Sequence, residues 1–157
     1  MSSDRRPETL YFEDMPVGFR SATGSVTVDA EAIKEFAARF DPQPFHLDEV
    51  AAKTTFFGGL AASGWHTAAL TMRLLVTSGL PIAGGVIGAG GDVQWPRPTR
   101  PGDRLTVVSE VIAAKPSNSR PERGMVTVRS ETLNQNGDVV QVMTARLVVP
   151  RRPTALA

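Results

Sequence analysis

SGWHTAALTMRLLVTSGLP, residues Ser63–Pro81, is the stretch on which the reading of the fold turns. Ser63 has the residue type of a helix N-cap, and Gly79-Leu80-Pro81 supplies a stop. Between them Trp65, Ala68, Ala69, Met72, Leu75 and Val76 form an apolar stripe at helical spacing. The spacing predicts one long helix near Ser63–Ser78, with small residues that let a neighbour pack closely. Beyond it everything reads as strand. Val86–Trp95 is glycine-rich and ends at Pro96 and Pro98, Leu105–Ala114 is nearly continuous in β-formers, and Met125–Leu133 and Val139–Val149 alternate. Asn136-Gly137 gives a two-residue hairpin signal, and Ser117–Gly124 is a polar loop.

Upstream, Tyr11–Gly18 reads as a loop leading to a strand over Ser25–Val28. Asp29 is a candidate N-cap for a helix striped by Ile33, Phe36, Ala37 and Phe40. That helix ends at Asp41-Pro42, since the residue before a proline leaves the α region. Asp48 can cap a short helix over Glu49–Lys53, whereas Pro42–His46 is expected to hold no regular helix. Helices grouped together and followed by a run of strands predict an α+β fold with an antiparallel sheet curled around one helix.

The 157 residues suit a single domain over 1–157, with a core over about 10–150 and polar tails at Met1–Glu8 and Arg151–Ala157. Hydrophobic residues make up 41%, and 14 glycines bring the apolar share to about half, which excludes a largely disordered chain. A net charge of +1 gives no bulk basic character for nucleic acid. The absence of cysteine excludes disulfides, thiol catalysis and cysteine-ligated zinc. No signal-peptide pattern and no membrane-spanning apolar run stand in the sequence, so the expected compartment is the cytoplasm.

The chemistry-bearing stretch is Asp41-Pro42-Gln43-Pro44-Phe45-His46-Leu47-Asp48. Two prolines stiffen the loop between a carboxylate and an imidazole, which could share acid–base work on a water molecule. The same residues also fit a helix terminus and a structural histidine. With two histidines and no cysteine, a zinc site from His46, Asp41 and Asp48 is not expected. Gly64 falls in the first turn of the long helix, where backbone N–H groups lack helical partners and the dipole favours negative charge. Its missing Cβ serves either a close carbonyl ligand or close packing of helix on sheet. His66 reads as a helix-flank residue. Trp95–Asp103 is a rigid, basic connection: a stiff turn, or a wall for a phosphate-bearing ligand through Arg97 and Arg100. The same two readings apply to Lys115, Arg120 and Arg123. Gly88, Gly90 and Gly91 lead into no helix and so form no dinucleotide fingerprint.

These residues resemble the MaoC-like dehydratases, the (R)-specific enoyl-CoA hydratase family. Asp41, Pro44 and His46 match the hydratase motif, Phe57-Gly58-Gly59 through Gly64 match the loop and helix start that follow, and Pro101-Gly102-Asp103 matches a later turn. The similarity runs over about residues 10–150. Gln43 stands where the motif usually has Asn, and Phe45 where an aliphatic is usual; both bear on acyl specificity. The resemblance implies a hotdog fold, a curved antiparallel sheet wrapped on one long helix, and a homodimer whose sheets join. It implies Asp41 and His46 as the catalytic pair, the Gly64 N–H as oxyanion donor, and reversible addition of water to a 2-enoyl-CoA thioester giving a 3-hydroxyacyl-CoA. Gln43, Phe45, Phe57, Gly59, Ser63 and Trp65 would line the acyl site, with Arg97 and Arg100 toward the CoA phosphates. No cofactor or metal is expected beyond the CoA thioester itself. An acyl-CoA thioesterase or a non-catalytic acyl-CoA-binding protein would share the fold.

Overall fold

The computed structural model describes residues 8–154. Strands β1 (Arg20–Ala22) and β2 (Val26–Thr27) precede helices α1 (Ala30–Phe40), α2 (Pro44–Leu47), α3 (Glu49–Ala52) and α4 (Gly64–Leu74), the last continuing as a π-helical turn over Leu75–Gly79. Strands β3 (Ile87–Gln94), β4 (Arg104–Pro116), β5 (Arg123–Leu133) and β6 (Val139–Pro150) follow. The six strands form one antiparallel sheet in the order β1-β4-β5-β6-β3, with β2 also paired to β4. The sheet wraps α4, the hotdog arrangement that the resemblance implies. No helix among the described residues is long and apolar enough to cross a membrane.

Strand periodicity makes the core. Leu105, Val107, Ser109 and Val111 on β4, and Val126, Val128, Ser130 and Thr132 on β5, alternate inward. Leu105, Val107, Val111, Val126 and Val128 form an apolar cluster with Met15, Ile33, Leu74, Leu75, Val140 and Val149, while Ser109 and Ser130 bond to each other within it. The glycines of β3 have a steric cause at Gly91, where a Cβ would stand 2.1 Å from the Thr144 carbonyl oxygen of β6. The strand therefore lies against β6 more closely than any side chain allows.

The local capping is as the sequence predicts. Asp29 accepts the Ala32 N–H at 2.7 Å, and the Asp48 carboxylate accepts from Val50 and Ala51 at 2.8 and 2.9 Å. Several expectations need correction. Pro44–Leu47 is a helical turn after all, because Pro44 sits at its first position, where the missing N–H has no helical partner to lose. The β5–β6 hairpin turns over residues 134–138 rather than two residues; the Asn134 side chain accepts the N–H groups of Asn136 and Asp138, and Gly137 adopts φ +77°. β1 has no alternating pattern and was not predicted. Phe40 closes the α1 stripe in sequence but is largely exposed.

The face of α4 is the largest correction. Trp65, Met72 and Val76, read as core-facing, are 60%, 41% and 51% exposed, while His66, Thr67, Thr71 and Leu74 are buried. The buried hydroxyls are paired: Thr67 donates to Thr99 at 2.9 Å, and Thr71 lies 2.6 Å from the Thr132 hydroxyl. Polar residues can face the sheet because each finds a partner there. At the C-terminus Arg151 and Arg152 bind Glu13 and Asp14 and lie over the rings of Phe12 and Tyr11, so these two are anchored, not tail. Residues 1–7 and 155–157 of the expected tails lie outside the described residues.

Candidate active site

Three segments meet at the N-terminus of α4. The first is the end of α1 and the Pro-rich turn. Asp41 breaks the helix at φ −154°, and Pro42 forbids its continuation. The α2 turn then buries His46. The second is the loop 56–62, and the third is the connection after β3.

Asp41 and His46 come together, with His46 Nε2 3.3 Å from Asp41 Oδ2. His46 Nδ1 lies 2.6 Å from the Ala61 carbonyl oxygen, which can only accept, so Nδ1 carries a proton and Nε2 is left facing the carboxylate. Ser63 donates its hydroxyl to Asp41 Oδ2 at 2.7 Å, and Gln43 donates Nε2–H to Oδ1 at 2.5 Å. Burial alone pushes the Asp41 carboxyl up; the bonds from Ser63 and Gln43, and the charge of a protonated His46, outweigh it and hold the group below its ordinary value. Asp41 is thus a carboxylate at neutral pH. Asp48 is turned away to cap α3 and does not join the pair.

Ser63 also caps α4. Its hydroxyl accepts the Trp65 N–H at 3.3 Å, and its carbonyl takes those of His66 and Thr67. The Gly64 N–H has no hydrogen-bond partner among the described residues. Gly64 itself is in contact with Trp95: a Cβ there would stand 2.6 to 2.9 Å from three atoms of the indole. Close packing at Gly64 is therefore real, and it involves a tryptophan that the sequence reading left out of the site.

A cavity of about 400 Å³ opens beside this constellation, lined by His46, Phe57, Gly64, Thr67, Trp95 and Arg97 among others. Phe57 packs on Phe45, and Phe45 meets the His46 ring edge-on at 4.5 Å. Phe56 is 97% exposed at the rim. Trp65 borders the site only through its edge-on contact with Trp95.

Arg100 has other partners than a phosphate. Its guanidinium donates to the carbonyls of Phe57, Gly59 and Leu60 at 2.5, 3.1 and 3.3 Å, clamping the loop that carries Phe57. Arg97 is exposed and lines the cavity. Arg123 pairs with Pro150, nine residues along β5 from Thr132, which places it roughly 30 Å away along the strand at about 3.4 Å per residue. It does not belong to this site. His66, read as a helix-flank residue, is buried and stacked on Phe36 at 4.7 Å, with Nδ1 unpaired among the described residues and its basicity lowered by burial. Nothing in the local spacing signals the roles of Trp95 and Gln141, whose bond joins β3's end to β6.

Comparison with known proteins gives the family and the fold. The crystal structure of a MaoC-like dehydratase from Rhodospirillum rubrum superposes with a TM-score of 0.91 at 63% identity, covering 92% of this chain and 99% of that one. An (R)-specific enoyl-CoA hydratase from Rhodospirillum rubrum is 33% identical over 143 residues, 90% of this chain and 93% of its own length. A 3-hydroxybutyryl-CoA dehydratase from Methylorubrum extorquens is 32% identical over 111 residues, 71% of this chain and 69% of its own. The pattern of the MaoC like domain matches residues 14–135, and the chain belongs to that family.

Proposed function

We propose that the protein reversibly adds water to a 2-enoyl-CoA, giving a 3-hydroxyacyl-CoA, with Asp41 and His46 as the acid–base pair. The observation that carries this is the placement of His46 Nε2 3.3 Å from Asp41 Oδ2 beside the unpartnered Gly64 N–H. With Nδ1–H held by Ala61, His46 Nε2 and the Asp41 carboxylate stand side by side as acceptors for one water molecule. A water molecule can satisfy both by donating one hydrogen to each. As its oxygen bonds to Cβ, one proton passes to the pair, and the alkene electrons move through Cα onto the thioester oxygen. The Gly64 N–H, at the positive end of α4, stabilises that oxyanion; a preorganised donor of this kind contributes about 3–4 kcal/mol. The pair then returns the proton to Cα, so the net change is addition of one water.

The test is a panel of enoyl-CoAs of different length and branching, followed by loss of the conjugated-thioester absorbance. Asp41→Ala and His46→Ala should each abolish most turnover, with strongly non-additive effects because the two act as a unit. Release of free CoA with the alkene intact would replace this reading by a thioesterase, and binding without turnover by a non-catalytic acyl-CoA protein.

A homodimer completes the proposal. β4 is interior, and the sheet ends at the three-residue β1 on one side and at the longer β3, paired only to β6, on the other. Next to β3 lies the exposed Trp65/Met72/Val76 face of α4, and an apolar groove of about 280 Å³ joins Met72 to Val86 and Val93. Pairing of two β3 edges would cover strand and helix face together. Sedimentation as a monomer at micromolar concentration would refute it.

A further inference from the structure

Gln141 lies in β6 with no solvent exposure. A primary amide in such a place is costly unless both ends are bonded. Here they are. Its Oε1 accepts the Trp95 Nε1–H at 2.9 Å, and its Nε2 donates to Thr71 Oγ1 at 3.2 Å. The direction of each bond is forced. Thr71 spends its single hydroxyl hydrogen on the Thr67 carbonyl at 2.9 Å, so toward Gln141 and Thr132 it can only accept. Gln141 must therefore turn its NH₂ to Thr71 and its oxygen to Trp95, whose indole can only donate. A buried network that engages both ends of the amide fixes one ring position for a tryptophan that is itself 40% exposed.

That ring position matters because of what it touches. The indole lies directly on Gly64, in the van der Waals shell where a side chain of that residue would be, and it shares the cavity with His46, Phe57 and Thr67. A thioester held at the Gly64 N–H, with its Cβ toward Asp41 and His46, must run its acyl carbons past this ring. Resting on the hydratase reading, we propose that Trp95 is the specificity-determining wall of the acyl site and that Gln141 is its positioning residue. Together they confine the site to short acyl groups.

The experiment compares kcat/KM for crotonyl-CoA and octenoyl-CoA in the wild type, Trp95→Leu, Trp95→Phe and Gln141→Leu. Trp95→Leu opens the wall, and Gln141→Leu releases the indole while leaving Thr71 its bonds to Thr132 and Thr67. Both should shift the ratio toward octenoyl-CoA by roughly tenfold or more, the scale set by added methylenes in an apolar pocket. Trp95→Phe, which keeps a ring but lacks the donor, should shift it in the same direction, and carries the test if Gln141→Leu folds poorly. A second readout needs no turnover. The chain has two tryptophans, so in a Trp65→Phe background the emission comes from Trp95 alone. Saturated butyryl-CoA should change that emission, and Gln141→Leu should make it more open to acrylamide quenching. An unchanged substrate ratio in Trp95→Leu with an active wild type overturns the wall while leaving the hydratase reading intact. A wild type that hydrates neither ester overturns the hydratase reading, and the butyryl-CoA response then decides alone whether Trp95 borders an acyl site; no response removes it.

Discussion

Gly64→Ala asks the most of this site with the smallest change. The new methyl carbon would stand 2.6, 2.7 and 2.9 Å from Cε2, Cδ2 and Cζ2 of Trp95. Ordinary carbon–carbon contacts are about 3.5–4.0 Å, so ring or helix must give by about 1 Å. If the ring stays, the overpacking costs about 1–3 kcal/mol. If it retreats, its N–H leaves Gln141 Oε1, and an unsatisfied acceptor at a fully buried residue costs about 1–3 kcal/mol. Against either stands the gain from replacing glycine in a helix, at most about 1 kcal/mol. The net is a loss near 1 kcal/mol, which for a chain of this length lowers Tm by about 2–4 °C. The helix preference taken alone would predict the opposite sign.

Turnover should fall with stability, because the displaced indole borders the cavity and the methyl crowds the oxyanion donor. Calorimetry and kcat on one preparation give both numbers. Repeating the substitution in a Trp95→Ala background separates the two causes of the lost rate: the clash is gone, so Tm should no longer drop. A rate loss that persists there belongs to Gly64 itself. A Gly64→Ala protein with raised Tm and normal kcat would refute the contact and remove Gly64 from the site together.

Ser63→Ala removes both the α4 cap and a donor to Asp41, so it should cost about 2 kcal/mol or more and raise the pH at which activity is lost on the acid side; an unmoved acid limb would remove Ser63 from the pair's electrostatics. Arg97→Ala should raise KM for a CoA thioester but not for a truncated pantetheine thioester, whereas Arg100→Ala should affect both alike by loosening the Phe57 loop; titrations with the two esters distinguish these patterns. His66 has its basicity lowered by burial in the folded state, so the unfolded chain takes the proton first: its contribution is intact above its unfolded pKa of about 6.5, declines as pH falls below that, and levels off once the folded form also protonates. Melting temperature against pH should show this decline and lose it in His66→Gln.

What was legible in the sequence followed from local rules. Asp29, Asp48 and Ser63 announce helix starts because capping acts within three residues, and the strands show through runs of β-formers in β4 and repeated alternation in β5 and β6. The Asp41–His46 pair was visible because two prolines hold it within one short loop. The rest depends on contacts between distant segments. Gln141 follows Val139 and Val140 and precedes Val142, and nothing nearby says that its amide faces inward to a ring 46 positions earlier. Arg100 reads as a free cation because its acceptors are carbonyls 40 to 43 residues away. The α4 face was misread for a related reason. Apolar spacing identifies a helix, but the choice of buried face belongs to the surface it meets.

That surface explains why α4 carries threonines inward. Thr67 ties the helix to Thr99, Thr71 ties it to Thr132 and Gln141, and Ser63 ties its N-terminus to Asp41. Replacing buried, mutually bonded polar groups by apolar ones of the same shape can be nearly neutral for stability, so the seam is not explained by stability alone. Apolar contacts tolerate sliding, whereas a hydroxyl pair at 2.6 or 2.9 Å admits one register. The role proposed for the Gly64 N–H requires it to be placed to a fraction of an ångström against a carboxylate and an imidazole carried by a different loop. Thr99 extends the same constraint: its carbonyl accepts the Ala62 N–H at 2.9 Å while its hydroxyl accepts from Thr67, so one residue fixes both the loop entering α4 and the helix itself. With much of the inward face given over to register and Leu74 and Leu75 reaching the core from its C-terminal end, Trp65, Met72 and Val76 fall outward, beside the open β3 edge. On the proposed reading, the polarity of α4 is thus divided between two tasks, locating the oxyanion donor on one side and offering apolar area for association on the other.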